Sequence, residues 1–134
     1  MKNFKLKTEI SSFGDIFCSF NKSGVMKKYV REDNKLNYSY ILLSFDQTEF
    51  KISLQKKEII LFEIFIEEKR RGTGFAKELM KKTIDFIKSK GLKSIVLHAC
   101  TDWKGTEFSK LKNFYESFGF VQLEENKEYF RLVF

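Results

Sequence analysis

The sequence of 134 residues contains no proline, two cysteines and one histidine. Cys18 and Cys100 are too few to form a disulfide framework, and the chain has neither a Cys-x-x-Cys motif nor a pair of histidines that could hold a metal ion. A protein with so few cysteines fits a reducing compartment. The sequence therefore predicts a cytoplasmic protein without a metal site.

Long apolar segments are also missing. No uncharged run approaches the roughly 18 residues that a membrane-spanning helix needs, so no membrane contact is expected. Lysines occur at positions 2, 5 and 7 and no apolar segment follows them, which argues against an export signal. Internal repeats, low-complexity tracts and linkers are absent as well, so residues 1–134 are predicted to form a single domain.

Apolar residues are nevertheless plentiful. Hydrophobic residues make up 43% of the chain, and 16 of its residues are phenylalanine, which is enough to build a core and to exclude intrinsic disorder. Lysine and arginine outnumber aspartate and glutamate by 25 to 18, which gives a net charge of +7. Nine basic and two acidic residues between Lys69 and Lys93 account for this excess, so a partner attracted to that region is expected to be anionic.

Alternating and β-rich runs predict strands along much of the chain. They cover residues 4–10, 38–45, 49–54, 58–66, 94–100, 120–123 and 129–134. The three runs between residues 38 and 66 follow one another across short polar breaks, which predicts an antiparallel meander. Residues 15–20 fit either a strand or a helix, and Ser23 is a candidate cap for a short helix over residues 25–32.

Two segments have helical periodicity. Apolar residues recur at spacings of three and four over residues 76–87, and the helix that they predict ends at Gly91. A second helix is predicted over residues 108–118 and is closed by Gly119. This order of strands and helices predicts an α/β or α+β fold with a mixed sheet.

A predicted strand runs into a glycine turn that opens the first of these helices. The first four amides of a helix have no intrahelical acceptor, and the helix dipole adds positive potential at the same point, so such a junction binds anions. Gly72 and Gly74 have no side chains, which would allow a phosphate group to approach the backbone closely.

The glycine turn can be compared with known phosphate-binding loops. It lacks the third glycine of the Gly-x-Gly-x-x-Gly dinucleotide motif and the Gly-x-x-x-x-Gly-Lys-Ser/Thr spacing of nucleoside triphosphatases. Arg71-x-x-Gly74-x-Ala76 resembles instead the Arg/Gln-x-x-Gly-x-Gly/Ala signature of the GNAT superfamily of N-acetyltransferases. Residues 111–120 are similar to that family's Leu/Phe-Tyr-Glu-x-x-Gly-Phe segment, and the resemblance covers residues 58–134.

The resemblance implies both a fold and an activity. The fold is a mixed, mostly antiparallel sheet of six to seven strands with helices on both faces. The activity is acetyl transfer to a primary amine by direct attack in a ternary complex, with the acceptor, a small molecule or a protein or peptide amine, left open. The acetyl donor is acetyl-coenzyme A, and the residues expected to bind it are Phe65, Ile66, Glu67, Arg70, Arg71, Gly72, Thr73, Gly74, Phe75 and Ala76.

The resemblance also suggests catalytic roles. The Ile66 amide is the expected hydrogen-bond donor to the developing oxyanion. Tyr115 is the candidate general acid, because a phenol with a pKa of about 10 is protonated at neutral pH and can donate to a departing thiolate. Glu63 is the candidate base, since an acceptor lysine with a pKa of about 10.4 must lose a proton before it attacks. His98 is a second candidate for a base or relay, or alternatively a hydrogen-bonded core residue.

Several alternatives stay open. Cys100 has no evident basic partner and is interpreted as a packing residue, and Trp103 either lines the acceptor side or covers the core. The basic helix face would also suit a nucleic-acid-binding module, which is disfavoured because no helix-turn-helix, zinc or ribonucleoprotein motif is present. A non-catalytic coenzyme A-binding interaction module is the other alternative. A homodimer could form through the terminal strand at residues 129–134.

Overall fold

Seven strands and two helices make up the described part of the computed structural model, which covers residues 5–10, 15–20, 39–44, 57–99 and 107–134. The strands are β1 (Leu6–Ile10), β2 (Ile16–Phe20), β3 (Tyr40–Ser44), β4 (Glu58–Phe65), β5 (Ser94–His98), β6 (Val121–Gln122) and β7 (Tyr129–Val133). The helices are α1 (Phe75–Ser89) and α2 (Phe108–Glu116), and a single 3₁₀ turn spans Glu68–Arg70. Within these residues no helix is long and apolar enough to cross a membrane.

The seven strands form one sheet in the order β1-β2-β3-β4-β5-β7-β6. Neighbouring strands are antiparallel except for β4 and β5, which run parallel. A parallel neighbour requires a crossover connection, and α1 lies in the segment that joins these two strands. The predicted mixed, mostly antiparallel sheet is confirmed.

Both described helices pack on the same face of the sheet. Phe75 of α1 contacts Phe20 of β2 with ring centroids 5.4 Å apart, and Tyr115 of α2 lies 6.0 Å from the ring of Phe130 in β7. All four rings belong to one buried cluster, together with the inward-facing aliphatic residues of β3, β4 and β5. Of the helices on both faces that the resemblance implies, the structure thus describes those of one face, and the helix predicted over residues 25–32 lies outside the described residues.

Strand pairing between distant residues determines the structure of two segments that the sequence left ambiguous or that were misassigned from it. Residues 15–20 are strand, because β2 is hydrogen-bonded between β1 and β3. The predicted meander, with a strand between β3 and β4, is wrong, since these two strands are direct antiparallel neighbours. Residues 49–54 and Phe4 lie outside the described residues.

A charged cluster connects β4, β5 and β7 at the start of β4. Arg131 donates to both carboxylate oxygens of Glu58, with Nε 2.8 Å from Oε2 and Nη2 3.3 Å from Oε1. The Ser94 hydroxyl donates to the same Oε2 at 2.6 Å. The Glu58 side chain is only 17% exposed, so loss of Arg131 would leave a carboxylate that is poorly hydrated and has no cation beside it in this cluster.

Arg131→Met is therefore expected to lower the free energy of unfolding by about 1–2 kcal/mol, the partial exposure of Arg131 keeping the loss below that of a fully buried pair. Urea denaturation measures the effect. Lys110→Met, which removes an exposed cation from α2, is the control and is expected to change stability by less than about 0.5 kcal/mol. Equal stabilities of the two variants would contradict a stabilising role of the cluster.

Candidate functional site

Strands β4 and β5 are paired along only part of their length. Their parallel pairing ends where Leu61 lies opposite Leu97. Beyond this point β4 continues to Phe65 beside β3, and β5 continues to His98 beside β7. The two edges that face each other therefore lose their mutual hydrogen bonds. The result is a gap in the sheet, bordered on one side by β4 backbone that no described strand pairs with.

One residue is inserted into β4 where this gap begins. In the register between β3 and β4, Leu43 pairs with Leu61 but Leu42 pairs with Glu63, so Phe62 has no partner in β3 and forms a bulge. The bulge shifts the alternation of side chains by one residue. As a consequence, Glu63 points to the face of the sheet opposite α1, where a regular strand would have pointed it into the core.

The backbone at the end of β4 is held by Ser39. The Glu67 N–H donates to the Ser39 hydroxyl oxygen at 2.9 Å, so this amide turns toward the β3 side of the strand. Successive residues of an extended strand direct their N–H groups to opposite sides, so the Ile66 N–H turns away from β3 and toward the gap. Phe65, which pairs with Tyr40, has the same orientation as Glu67. Of Phe65, Ile66 and Glu67, which were predicted to bind the acetyl donor, Ile66 is thus the one whose N–H is expected to face the gap.

The glycine turn directly precedes α1. Gly72 and Gly74 have φ angles of 75° and 85°, in the left-handed region that favours glycine, and Gly74 is the N-cap of the helix. Gly74 has no side chain with which to cap this end, and the first intrahelical bond runs from the Glu78 N–H to the Gly74 carbonyl at 3.1 Å. The amides of residues 74–77, which include Phe75 and Ala76, thus have no intrahelical acceptor. A Cβ built on Gly72 would meet no atom within 4 Å, so the turn has the room and the donors that a phosphate requires.

Side chains of the turn stabilise its shape. The Thr73 hydroxyl donates to the Arg70 carbonyl at 2.5 Å, and the Arg71 Nε donates to the Ile66 carbonyl at 3.0 Å. The Arg70 guanidinium lies over the ring of Phe75, with Cζ 4.6 Å from the ring centroid. These contacts keep two cationic side chains beside the N-terminus of α1, where they add to its positive potential.

A cavity of about 600 Å³ lies beside the turn. Its lining residues are Phe65, Glu67, Glu68, Lys69 and Arg71. Within it the Glu67 Oε2 atom lies 3.5 Å from Arg70 Nε and 3.6 Å from Lys69 Nζ. Glu67 therefore neutralises part of the basic charge and orients these cations.

Tyr115 is buried in an aromatic cluster of α2 and β7. The residue is 4% exposed, and its ring lies within about 6 Å of those of Phe114, Phe120 and Phe130. Because Phe130 pairs with Leu97, Tyr115 sits over the sheet at the level where the gap begins. Burial raises the pKa of Tyr115 from its ordinary value of 10.0 to about 12, so the phenol is protonated at neutral pH. No residue in the described ranges forms a hydrogen bond with its hydroxyl.

Glu63 is paired with a buried phenol. The Tyr40 hydroxyl donates to Glu63 Oε1, and Tyr40 is 2% exposed. Glu63 itself is half-buried on the face opposite α1, whereas Tyr115 lies on the α1 face. The sheet thus separates the two predicted catalytic side chains, and the gap between β4 and β5 opens between them.

His98 lies at the exposed end of β5. It is hydrogen-bonded, as a structural histidine would be, because its Nε2 lies 2.8 Å from Glu128 Oε2. It is not a core residue, however, since its side chain is 44% exposed and its ring stacks on Tyr129 at 4.6 Å. Leu97 points into the core, so His98 faces the same side of the sheet as Glu63. No cluster of three candidate metal ligands occurs in the part of the chain that the structure describes.

Three residues of this region escaped the sequence analysis. Ser39, Tyr40 and Glu128 contact partners that lie 28, 23 and 30 positions away in the chain. Only the pairing register of the strands brings them to the gap, and register is not a local property of the sequence. Cys100 and Trp103, whose roles were left open, lie outside the described residues.

The chain resembles known proteins in sequence. A family model described as an acetyltransferase (GNAT) domain matches residues 29–122. An uncharacterized N-acetyltransferase of Methanocaldococcus jannaschii is 30% identical over 82 residues, which make up 60% of this chain and 34% of that relative. The chain therefore spans about one third of the length of the relative.

Solved structures with the same fold are also found. The PaiA N-acetyltransferase from Thermoplasma acidophilum, in complex with coenzyme A, superposes with a TM-score of 0.58 at 15% identity, over 90% of this chain and 61% of that one. AtaT, complexed with acetyl-methionyl-tRNAfMet, superposes with a TM-score of 0.55 at 15% identity, over 90% of this chain and 70% of that one. At these identities the likeness concerns the fold.

Proposed function

The chain belongs to the acetyltransferase (GNAT) domain family, and on that premise we propose that it is an N-acetyltransferase that uses acetyl-coenzyme A. The observation that carries the proposal is the gap between β4 and β5, together with the glycine turn at residues 72–74 that follows β4 in the chain. Acetyl-coenzyme A has an extended arm with amide groups and a diphosphate. The arm can hydrogen-bond to a strand edge, and the diphosphate can bind at the N-terminus of a helix. We place this activity in a single cytoplasmic domain over residues 1–134.

The glycine turn would hold the diphosphate. The amides of residues 74–77 supply hydrogen bonds, Gly72 leaves open space, and Arg70 and Arg71 add positive charge. The β4 edge at Ile66 would hold the extended arm. Phe65, Glu67 and Thr73 contribute by shaping the turn and the cavity beside it. Besides its amide, Phe75 offers a ring over which the Arg70 guanidinium lies.

A bound thioester supplies an activated carbonyl and a thiolate leaving group. The Ile66 N–H, directed into the gap, is the proposed donor to the negative charge that develops on the carbonyl oxygen. Tyr115, protonated at neutral pH, is the proposed acid that donates a proton to the departing sulfur. Glu63 is the proposed base that takes a proton from the acceptor amine on the opposite face, with Tyr40 holding one of its oxygens.

Direct attack by the amine is favoured over a covalent enzyme intermediate. Cys18 is fully buried, and burial raises its pKa from 9.0 to about 12, so its thiol is neither accessible nor ionised at neutral pH. A ternary complex of enzyme, acetyl donor and amine is the corresponding kinetic scheme.

The acceptor is proposed as a primary amine, and its class decides the assay. The sequence-based preference against a nucleic-acid partner is not supported, because a protein of this fold, AtaT, is solved in complex with acetyl-methionyl-tRNAfMet. The panel of acceptors should therefore contain free polyamines and amino acids, lysine-containing peptides, peptide N-termini and aminoacylated tRNA.

Two measurements test the proposal. Calorimetric titration with coenzyme A should show binding, and thiol release from acetyl-coenzyme A should accelerate with at least one acceptor class. Coenzyme binding without thiol release for any acceptor would favour the non-catalytic interaction module. Salt-sensitive binding of oligonucleotides with no response to the coenzyme would favour a nucleic-acid-binding module instead.

Glu63→Gln is expected to lower kcat/KM about tenfold at neutral pH, because the amide cannot accept the proton of the acceptor. The deficit should shrink as the pH rises toward the pKa of the acceptor amine, about 10.4 for lysine, since a neutral amine no longer needs a base. The pH profile of kcat/KM measures both effects. Glu125→Gln, an exposed position in the β6–β7 hairpin, is the matched control.

If the pH profile of kcat/KM for Glu63→Gln runs parallel to that of the wild type at every pH, Glu63 is not the base. His98→Gln is then the informative variant, because His98 lies on the same face and is held by Glu128.

A further inference from the structure

The peptide unit between Ile66 and Glu67 is held at both of its ends. Its carbonyl oxygen accepts a hydrogen bond from Arg71 Nε at 3.0 Å, and its N–H donates to the Ser39 hydroxyl at 2.9 Å. A peptide unit is planar and rigid, so two hydrogen bonds on opposite edges determine its orientation. The two side chains come from different parts of the chain, the residue before β3 and the turn before α1.

Ser39 makes a second, reciprocal bond with the same residue. The Ser39 N–H donates to Glu67 Oε1 at 3.1 Å, and Ser39 is 4% exposed. This pair extends the contact between β3 and β4 beyond the last ladder pair, Tyr40 and Phe65. A buried hydroxyl without its partner would be costly, so the arrangement is expected to be rigid.

The Glu67 side chain also contacts the cations that precede the glycine turn. Its second oxygen, Oε2, lies 3.5 Å from Arg70 Nε and 3.6 Å from Lys69 Nζ. The Glu67 side chain is 14% exposed, so water screens these contacts only in part. One carboxylate therefore joins the start of β3 to the cations beside the anion-binding turn.

We infer that Ser39 and the Arg71 side chain are positioning residues. They hold the 66–67 peptide and thereby fix one side of the Ile66 backbone, which restricts how the Ile66 N–H, on the preceding 65–66 peptide, is turned toward the gap. The inference rests on the proposed function. In this inference the side chain of Arg71, the first residue of the Arg-x-x-Gly-x-Ala motif, binds the Ile66 carbonyl and holds the backbone after β4. The backbone amides of the turn remain the groups that bind the diphosphate.

The physical reason is the sensitivity of transition-state stabilisation to geometry. A fixed N–H donor is effective only if it already points at the position where charge develops. Displacements of about 1 Å caused by a residue outside the reacting groups can lower rates about 100-fold. The effect should appear in kcat, because the substrate carbonyl of the ground state is less charged than that of the transition state.

Ser39→Ala is the direct test. The variant is expected to lower kcat about 10- to 100-fold while the dissociation constant for coenzyme A changes less than about threefold. Hydrogen exchange should report the geometry independently of activity, with faster exchange at the Glu67 amide. Ser39→Thr retains the hydroxyl and is expected to recover most of kcat, and Ser44→Ala, at the other end of β3, is the control that should match the wild type.

Arg71→Lys tests the hydrogen bond to the carbonyl of the 66–67 peptide and keeps the positive charge of the turn. Because Arg71 is exposed, this variant is expected to fold even if Ser39→Ala does not. It should lower kcat in the same range of about 10- to 100-fold, with coenzyme A affinity nearly unchanged.

The results separate this inference from the proposed function. A wild-type protein that neither binds coenzyme A nor releases thiol would refute the proposed function. An active wild type whose Arg71→Lys and Ser39→Ala variants keep the wild-type kcat would overturn the positioning role alone. Loss of kcat in Ser39→Ala that Ser39→Thr fails to restore, with no change in exchange at Glu67, would also overturn it.

Discussion

Gly74→Glu is expected to abolish binding of coenzyme A, with a dissociation constant at least about 100-fold higher than that of the wild type. Gly74 is the N-cap of α1 with φ 85° and ψ 0°, so a side chain here would emerge at the helix end where the diphosphate is proposed to lie. Two like charges about 4 Å apart repel by about 4 kcal/mol at an effective dielectric constant of 20, which exceeds the 2.7 kcal/mol or so that a 100-fold change requires.

Calorimetric titration with coenzyme A measures this effect, and Gly91→Glu is the matched control. Gly91 also has a positive φ of 79°, and a Cβ there would meet no atom within 4 Å, so the backbone strain of the two substitutions is similar. Gly91 follows the opposite end of α1, however, far from the glycine turn. If both variants retain wild-type affinity, the turn at residues 72–76 does not bind the diphosphate.

Tyr115→Phe is expected to lower kcat about 10- to 1000-fold while the affinity for coenzyme A stays nearly unchanged. Phenylalanine keeps the ring and hence the contacts with Phe114, Phe120 and Phe130, so the substitution removes only the proton donor. Steady-state kinetics with the best acceptor and calorimetry with coenzyme A measure the two quantities. Tyr129→Phe, which removes an exposed phenol, is the control.

The raised pKa of Tyr115 also predicts how the stability of the protein depends on pH. The phenol ionises at its ordinary pKa of 10.0 in the unfolded chain and at about 12 in the folded protein. Its contribution to stability is therefore fully present below pH 10 and is lost as the pH rises toward 12. Thermal denaturation of the wild type should lose stability relative to Tyr115→Phe in this window. A variant with wild-type turnover would remove Tyr115 from the chemistry, whatever its effect on stability.

The helices and the glycine turn were predictable because their signals are local. The apolar spacing over residues 76–87 reports one face of a single helix, and α1 spans Phe75–Ser89. The positive φ angles of Gly72 and Gly74 follow from a residue type that tolerates them. The backbone of this junction is therefore close to what the local sequence implies, and the residues expected to bind the acetyl donor all lie between positions 65 and 76.

The orientation of individual groups at the gap was not predictable. Glu63 points away from α1 only because Phe62 forms a bulge opposite β3, and no residue near Phe62 signals an insertion. Glu67 was expected to bind the acetyl donor, but its N–H donates a hydrogen bond to Ser39, which lies 28 positions earlier in the chain. The predicted meander failed for the same reason, since the partner of β4 depends on the whole sheet.

Local sequence was enough to predict the strands and helices of the C-terminal half and the point where α1 begins, because periodicity and glycine act over a few residues. The point where β4 leaves β5, the amide after β4 that turns toward the resulting gap, and the side chains that hold this backbone depend instead on the folded sheet. These properties depend on pairs of residues that are far apart in the chain, 28 positions for Ser39 with Glu67 and 36 positions for Leu61 with Leu97, and they exist only once the sheet has formed.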